Sequence, residues 1–261
     1  MKRAFLIFSL LLVVSGLSAQ TNEACYLDSS LIESSTDRNG GVSYSVRQSL
    51  RKGDWTIYYD FALTKKRSEW HFLADGKRTG IWREFSAAGK LISEWNYSEM
   101  RLHNLPPGKE YHPDGTLKID RNQSADTVYE YIYYPGGKQL KALSKYDNNG
   151  NWIYSRQHCE NGQLIVEYNP SIPDPKPITR YHCNGIVKIE GTILVTGYTG
   201  KFKEYNDSGK LITDGQFTER PAGNTGFFIP QKTGEWVYYN NKGQVTKKEK
   251  WNNGRLVSTY K

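Results

Sequence analysis

Long hydrophobic runs are nearly absent from this chain. The one such run, Ala4 to Val14, is too short for a membrane-spanning helix, which needs roughly 20 residues. Cysteine is scarce, at three, which excludes a dense disulfide framework and leaves one thiol over after pairing. No block of a single charge exists, the longest basic runs being Lys65-Lys66-Arg67 and Lys247-Lys248. That excludes the concentrated basic stripe of a nucleic-acid binder and leaves only a weak attraction to anionic lipid or glycan surfaces. Past the N-terminal run no stretch has apolar residues at a period near 3.6, so amphipathic helices are not expected. A metal-protease helix, a nucleophile elbow, a phosphate loop and a CxxC pair are all missing. Apolar residues make up 37%, under the usual about 45–50% that counts glycine in. What the chain has instead is rings and turns: 19 Tyr, 7 Trp and 24 Gly. It is too polar for a thick core and too aromatic for disorder. A thin structure that half-buries amphipathic rings on its faces reconciles the two.

The N-terminus reads as a signal peptide, residues 1–19. Lys2 and Arg3 precede the apolar run, and the small residues Ser15, Gly16, Ser18 and Ala19 follow it. Cleavage is expected after Ala19. Cys25 stands behind Asn22-Glu23-Ala24, a poor context for a lipid anchor. The expected product is exported, to the periplasm, the cell surface or the medium. Without Lys2 and Arg3, 33 basic residues face 27 acidic ones, a net charge of +6.

A skeleton then repeats. Residues 80–91 read GIWREFSAAGKL, 200–211 read GKFKEYNDSGKL and 234–245 read GEWVYYNNKGQV. The second glycine of each unit gives a series of anchors: Gly89, Gly115, Gly137, Gly162, Gly185, Gly209 and Gly243, with Ala62 in that slot in the first unit. Four residues before each anchor stands Tyr58, Phe85, Tyr111, Tyr133, His158, Tyr181, Tyr205 or Tyr239. Seven of these eight are aromatic carbocycles in a chain that is 13% aromatic, so the slot is not filled by chance. Three residues before that slot stand Trp55, Trp82, Phe202 and Trp236 in the clearest units. This is a repeat array.

Each unit reads as a β-hairpin. Strand-forming Tyr, Trp, Phe, Ile and Val precede the anchors. Turns such as HPDG, CENG, HCNG and NNKG put Asp, Asn or Pro first and Gly where positive φ is needed, as in a type I turn followed by a bulge. Leu or Val then leads the chain back. Trp and the Tyr three later should lie on opposite faces of the sheet. Rings of one hairpin are expected to stack on those of the next, adding about 0.5–1.5 kcal/mol per pair.

The skeleton G-x-W-x-x-Y-x-x-x-G-x-L resembles the MORN-repeat variant family (membrane occupation and recognition nexus). The resemblance covers roughly Gly53 to Lys261 and is carried best by the units of Trp82, Phe202 and Trp236. It is degenerate in the middle, where Gly108 and Glu130 occupy the Trp slot and His158 the Tyr slot. It implies hairpins set side by side in a long single-layer twisted sheet. Some bacterial members are labelled antitoxins, a role at odds with export. The expected fold is all-β, an elongated single-layer antiparallel sheet of about eight stacked hairpins.

The array has edges and breaks. Residues 20–50 precede it, and GVSYSVRQ (41–48) alternates like a strand suited to cap the first hairpin. Units one to five occupy 51–168. NPSIPDPKPI (169–178) is a Pro-rich connection, and the C-terminal units fill 179–261. An inserted loop at 215–231 holds Phe227, Phe228 and Ile229 among polar residues. These three either fold back onto the last repeats or form a partner-binding tip.

Three constellations carry weaker chemistry. Glu84, Glu110 and Glu204 all precede the slot ring. Equivalent strands lie about 10 Å apart, within reach of paired-carboxylate chemistry, but a repeated strand Glu is ordinarily a solvated face. His158-Cys159 and His182-Cys183 suggest a metal pair until they are set against the anchors, where they are displaced by one residue. A Cys159–Cys183 disulfide is favoured by export. It is opposed by a repeat spacing of about 10 Å, which exceeds the roughly 7 Å limit on Cα separation unless the turns lean together. Cys25 is the thiol left over. The resulting expectation is an exported, non-enzymatic scaffold without cofactor or metal. It would bind a protein partner at the cell envelope, or alternatively an envelope glycan through exposed aromatic ladders.

Overall fold

The computed structural model describes residues 21–38, 40–100, 105–170, 172–194, 197–221 and 228–261. The signal peptide expected at 1–19 lies outside them. The described residues form twenty β-strands and two short 3-10 turns, with no α-helix, and the chain divides into two compact units, residues 1–80 and 81–261. The expected all-β class of antiparallel hairpins is what the chain adopts.

The first unit holds β1 (Thr21–Cys25), β2 (Ile32–Thr36), β3 (Val42–Val46), β4 (Gly53–Tyr58) and β5 (Lys66–Phe72). β4 and β5 are the first repeat hairpin, with Trp55 directly opposite Trp70. The strand that covers the open edge of β4 is β1, in parallel, with Thr21 against Asp54 and Cys25 against Tyr58. This corrects the expectation for 41–48, because β3 pairs with β2 in a separate hairpin. TNEAC is polar enough to read as leader, yet its last two residues, Ala24 and Cys25, are buried. The β2–β3 hairpin is tied back by side chains. The Arg67 guanidinium lies 5.2, 4.4 and 5.3 Å from the ring centres of Tyr26, Tyr44 and Tyr59, a favourable cation–π arrangement, and Arg51 pairs with Glu33 at 2.6 Å.

The chain enters the second unit within β6 (Arg78–Phe85). There follow β7 (Leu91–Asn96), β8 (Gly108–Tyr111), β9 (Leu117–Gln123), β10 (Val128–Tyr133), β11 (Leu140–Tyr146), β12 (Trp152–His158), β13 (Leu164–Tyr168), β14 (Lys176–Tyr181), β15 (Val187–Leu194), β16 (Gly197–Tyr205), β17 (Leu211–Pro221), β18 (Phe228–Tyr239), β19 (Val245–Asn252) and β20 (Arg255–Tyr260). From β6 onward each strand pairs antiparallel with the next in chain order. The Pro-rich connection does not interrupt this order: β13 pairs with β14, whose first residues are Lys176 and Pro177.

One local rule builds all the repeat hairpins. In all eight the register shifts by one residue immediately before the slot residue, from Ile57/Tyr58 to Tyr238/Tyr239. The seven glycine anchors all have φ between 66° and 87°, a left-handed conformation that a β-carbon disfavours. In His112–Thr116, for example, His112 N donates to Thr116 O and Gly115 N to His112 O, both at 2.8 Å. The first unit departs from the rule. Its turn runs from Tyr59 to Lys65, and the positive φ, 54°, falls on Leu63 rather than on Ala62.

Register also explains the degenerate units. Trp82, Trp95, Gly108, Arg121, Glu130, Ser144, Ser155 and Tyr168 are successive cross-strand partners. A β-carbon on Gly108 would lie 2.8 Å from Cε3 of Trp95, so the missing ring of the third unit is replaced by that of its neighbour. Glu130, in the next Trp slot, is largely buried against Arg121, whose guanidinium also lies 4.7 Å from the Trp95 ring centre. The Tyr slots differ from expectation. Among the described residues Tyr111, Tyr133, Tyr181, Tyr205 and Tyr239 make no ring contact with one another. Equivalent strands are two strand spacings apart, about 10 Å, whereas rings interact at about 4.5–7 Å. Each of these five Tyr instead stands opposite the returning Leu or Val, as in Tyr111–Leu117 and Tyr205–Leu211.

Candidate functional site

β17 and β18 are the longest strands, at 11 and 12 residues. Most of the stretch read from sequence as an inserted loop, 215–231, is therefore paired strand. β16 pairs with β17 only as far as Phe217, and β19 with β18 only from Gly234. Beyond those points, among the described residues, the ladder joins β17 and β18 only to each other, from Thr218–Gln231 to Pro221–Phe228. The result is a two-stranded arm that outruns its neighbours.

The base of the arm is the best-packed part of the second unit. Phe202, Phe217 and Trp236 meet with ring centres 5.0 to 5.8 Å apart, and Tyr198 packs on Phe202 at 5.0 Å. Trp236 is 2% exposed and donates from Nε1 to Gln216 O at 3.1 Å. Its indole lies on Gly215, where a β-carbon would stand 2.6 Å from Cε2. Pro230 rests on Gly197 in the same manner, its Cγ 2.6 Å from where a β-carbon would be. Thr199 Oγ1 donates to Glu219 at 2.6 Å. The arm is thus fixed at its root.

A polar network flanks this root. Lys232 Nζ lies 4.2 Å from the Trp236 ring centre and 5.1 Å from that of Trp251, and donates to Tyr238 OH at 2.8 Å. Glu249 accepts from Tyr238 OH at 2.7 Å and Trp251 Nε1 at 2.9 Å, and pairs with Lys247 at 2.8 Å. Burial alone would raise the carboxyl, but the bonds from Lys247, Tyr238 and Trp251 outweigh it and hold the group down at about 2. Burial, then the neighbouring Glu249, pushes the Tyr238 phenol well above its usual range. Every charged oxygen has a partner, so the network braces the root rather than offering a reactive group.

Of the three apolar residues expected to form a tip, Ile229 is 41% exposed on β18. Phe228 joins the ladder opposite Pro221. Its side chain and all of Phe227 lie outside the described residues.

The other constellations are placed as follows. Glu84 and Glu110 both face Ser93 in register, on the strands either side of it, and Glu110 is ion-paired to Lys118. Glu204 lies in another hairpin, between Ile189 and Thr213, so the three acids do not converge. No cluster of three His, Cys, Asp or Glu fit to hold a metal occurs among the described residues. His158 and His182 take separate positions. His182 Nε2 lies 2.9 Å from Tyr205 O, while the buried Nδ1 of His158 has no partner among the described residues, and burial lowers its proton affinity.

Cys159 and Cys183 are bridged, with Cα atoms 5.6 Å apart. The spacing argument failed because it measured strands, and these residues are on turns. In three turns the opening residue reaches the following hairpin: His112 to Tyr133 O at 3.2 Å, Tyr134 to His158 O at 2.9 Å and His182 to Tyr205 O. Cys159 opens its own turn and makes the same step covalently. The one-residue displacement against the anchors, taken as opposing a shared site, is what allows the bridge. Asn161 supports the lean by donating to Cys183 O at 2.7 Å.

No family model matches the chain, and no curated protein matches it. Among solved structures, the crystal structure of TcdB2-TccC3-TEV is similar over 74% of this chain, at 11% identity and a TM-score of 0.21. The chain spans 12% of the length of that one, and at that score the likeness carries no argument.

Proposed function

We propose that the chain is an exported, non-enzymatic repeat scaffold of the MORN-variant type, which binds a protein partner at the cell envelope through the β17–β18 arm. The observation that carries this reading is the arm itself: a ribbon fixed at its root by Trp236 and Pro230, whose ladder from Thr218–Gln231 outward has no third strand among the described residues, and bearing exposed Ile229. Open strand edges with an apolar side chain suit strand addition by a partner, in which backbone bonds give affinity. The Cys159–Cys183 bridge supports export, since such bonds persist in oxidising compartments.

The test uses the mature protein as bait against the envelope fraction of its own cells. Ile229→Asp should leave the thermal midpoint in place, because no buried side chain is lost, while recovery of the specific partner falls several-fold. Undiminished recovery would count against the arm. A second reading, glycan binding, is favoured by one local observation: Trp152 is 45% exposed although stacked on a second ring.

A further inference from the structure

Trp152 opens β12 and lies far along the chain from the arm. Its indole stacks on the Tyr168 ring, with centres 4.8 Å apart and planes 20° from parallel. Lys176 lies beside Tyr168, with its ammonium 4.9 Å from that ring centre. Lys176 is almost completely buried, is paired with Asp174 at 2.9 Å and donates to Pro170 O. The buried ammonium beside Tyr168 helps hold that ring in place, and Tyr168 in turn supports Trp152 on one face. The indole is flat and 45% exposed, so part of its surface is open to a second flat ligand.

The turn leading into Trp152 is DNNGN, residues 147–151. Asp147 Oδ1 accepts from the backbone N–H groups of Asn149 and Asn151, both at 2.8 Å. Asn151 Nδ2 donates to Asp147 Oδ2 at 2.9 Å and Asn148 Nδ2 to Asp126 at 3.0 Å. The turn is thereby fixed, and the exposed Asn149 carboxamide keeps its hydrogen-bonding capacity. Carboxamides bond to hydroxyls as both donor and acceptor, and the electron-rich ring face attracts the weakly positive axial C–H groups of a pyranose. Asp126 and Asp147 put two carboxylates at this turn, which disfavours an anionic glycan there, while the cations Lys145 and Arg156 lie at the neighbouring Tyr154 ring.

We infer that Trp152, on its Tyr168–Lys176 support and beside the Asn148–Asn151 turn, is a stacking platform for one pyranose ring of a neutral glycan. This rests on the glycan reading and is independent of the arm. The test titrates the mature protein with cellohexaose, chitohexaose, laminarihexaose and maltohexaose, following the tryptophan indole N–H resonances by NMR. At least one sugar should bind at millimolar or lower concentration and shift the Trp152 signal. Trp152→Ala should weaken that binding tenfold or more, Trp152→Phe should restore part of it, and Asn149→Ala should weaken it several-fold. Circular dichroism should be unchanged in all three. Binding that survives Trp152→Ala undiminished would overturn the platform while leaving glycan binding elsewhere on the sheet intact. No binding of any of the four sugars would overturn both.

Discussion

Among the described residues, proline aside, the first unit, up to Gly80, keeps nine apolar residues buried: Ala24, Cys25, Ile32, Val46, Trp55, Ile57, Tyr58, Trp70 and Phe72. The second unit, more than twice as long, keeps six among the described residues: Val128, Cys159, Val166, Ile178, Phe202 and Trp236. Both are built from the same hairpin. In the first, a parallel strand and a second hairpin have been added, and a small core forms. In the second, hairpins follow one another and each residue is covered mainly by the strands beside it. A repeat of this kind does not need a core. It needs cross-strand partners that fit, and where a ring is missing a neighbour's ring, an ion pair or a disulfide takes its place. The two designs should respond differently to damage, and that difference can be measured.

The largest effect is expected from removing a packed ring in each unit. Trp236→Ala should cost about 3–5 kcal/mol and expose amide protons only in β16 to β19. Trp70→Ala, of similar cost, should release protection across the whole first unit. Hydrogen exchange lost evenly over the second unit after Trp236→Ala would show a global core there and break the comparison. The next effect concerns the bridge. Replacing Cys159 and Cys183 together by Ser opens a closed loop with a sequence separation of 24. The cost should be about 3 kcal/mol, read as faster exchange in β12 to β15 and not in β4 or β5. Smaller again is the glycine pair. Gly215→Ala drives a methyl into the Trp236 indole and should cost about 1–3 kcal/mol. Gly89→Ala has nothing within 4 Å and should cost only the left-handed backbone term, about 1–2 kcal/mol. Equal midpoints for these two variants would mean that Trp236 can move aside, and that the root of the arm is softer than argued.

A further effect is a pH slope. Glu249 is held at about 2 when folded, against 4.5 as the ordinary value. A depressed acid contributes stability that is complete above its unfolded value and lost as pH falls through its folded one. The C-terminal hairpins should therefore lose stability between about pH 4.5 and pH 2, and Glu249→Gln should flatten that slope. An unchanged slope in the variant would assign the acid sensitivity to other carboxylates.

The hairpins were readable from local chemistry because the anchor glycines and the slot residues act within four residues of each other. The degenerate middle was not readable as a fit, since Gly108 makes sense only once Trp95 is known to lie across from it, and Glu130 only beside Arg121. The charges show the same limit. Arg83, Glu94, Lys109 and Asp120 are dispersed along the chain, but they are consecutive cross-strand partners of alternating sign. Opposite charges directly across a ladder help fix register. Of the candidate site, Ile229 was legible as an apolar residue in polar surroundings. Lys232, Glu249 and Tyr238 were not, because isolated polar residues on a strand ordinarily face water. Trp152 was equally hidden, since its exposure depends on what covers each of its faces.

By itself the sequence determined the all-β class, the eight hairpins and the position of the seven glycine-anchored turns. These follow from periodicity, from glycine's access to positive φ and from the alternation of side chains along a strand, all of them short-range. The tertiary structure alone decided that β1 covers β4, that the turns lean far enough to join Cys159 to Cys183, and that the described residues of 215–231 extend a hairpin rather than loop out. It also decided which rings meet. Those outcomes depend on distances between residues brought together by the ladder, where one strand spacing separates contact from none, and no local pattern encodes that separation.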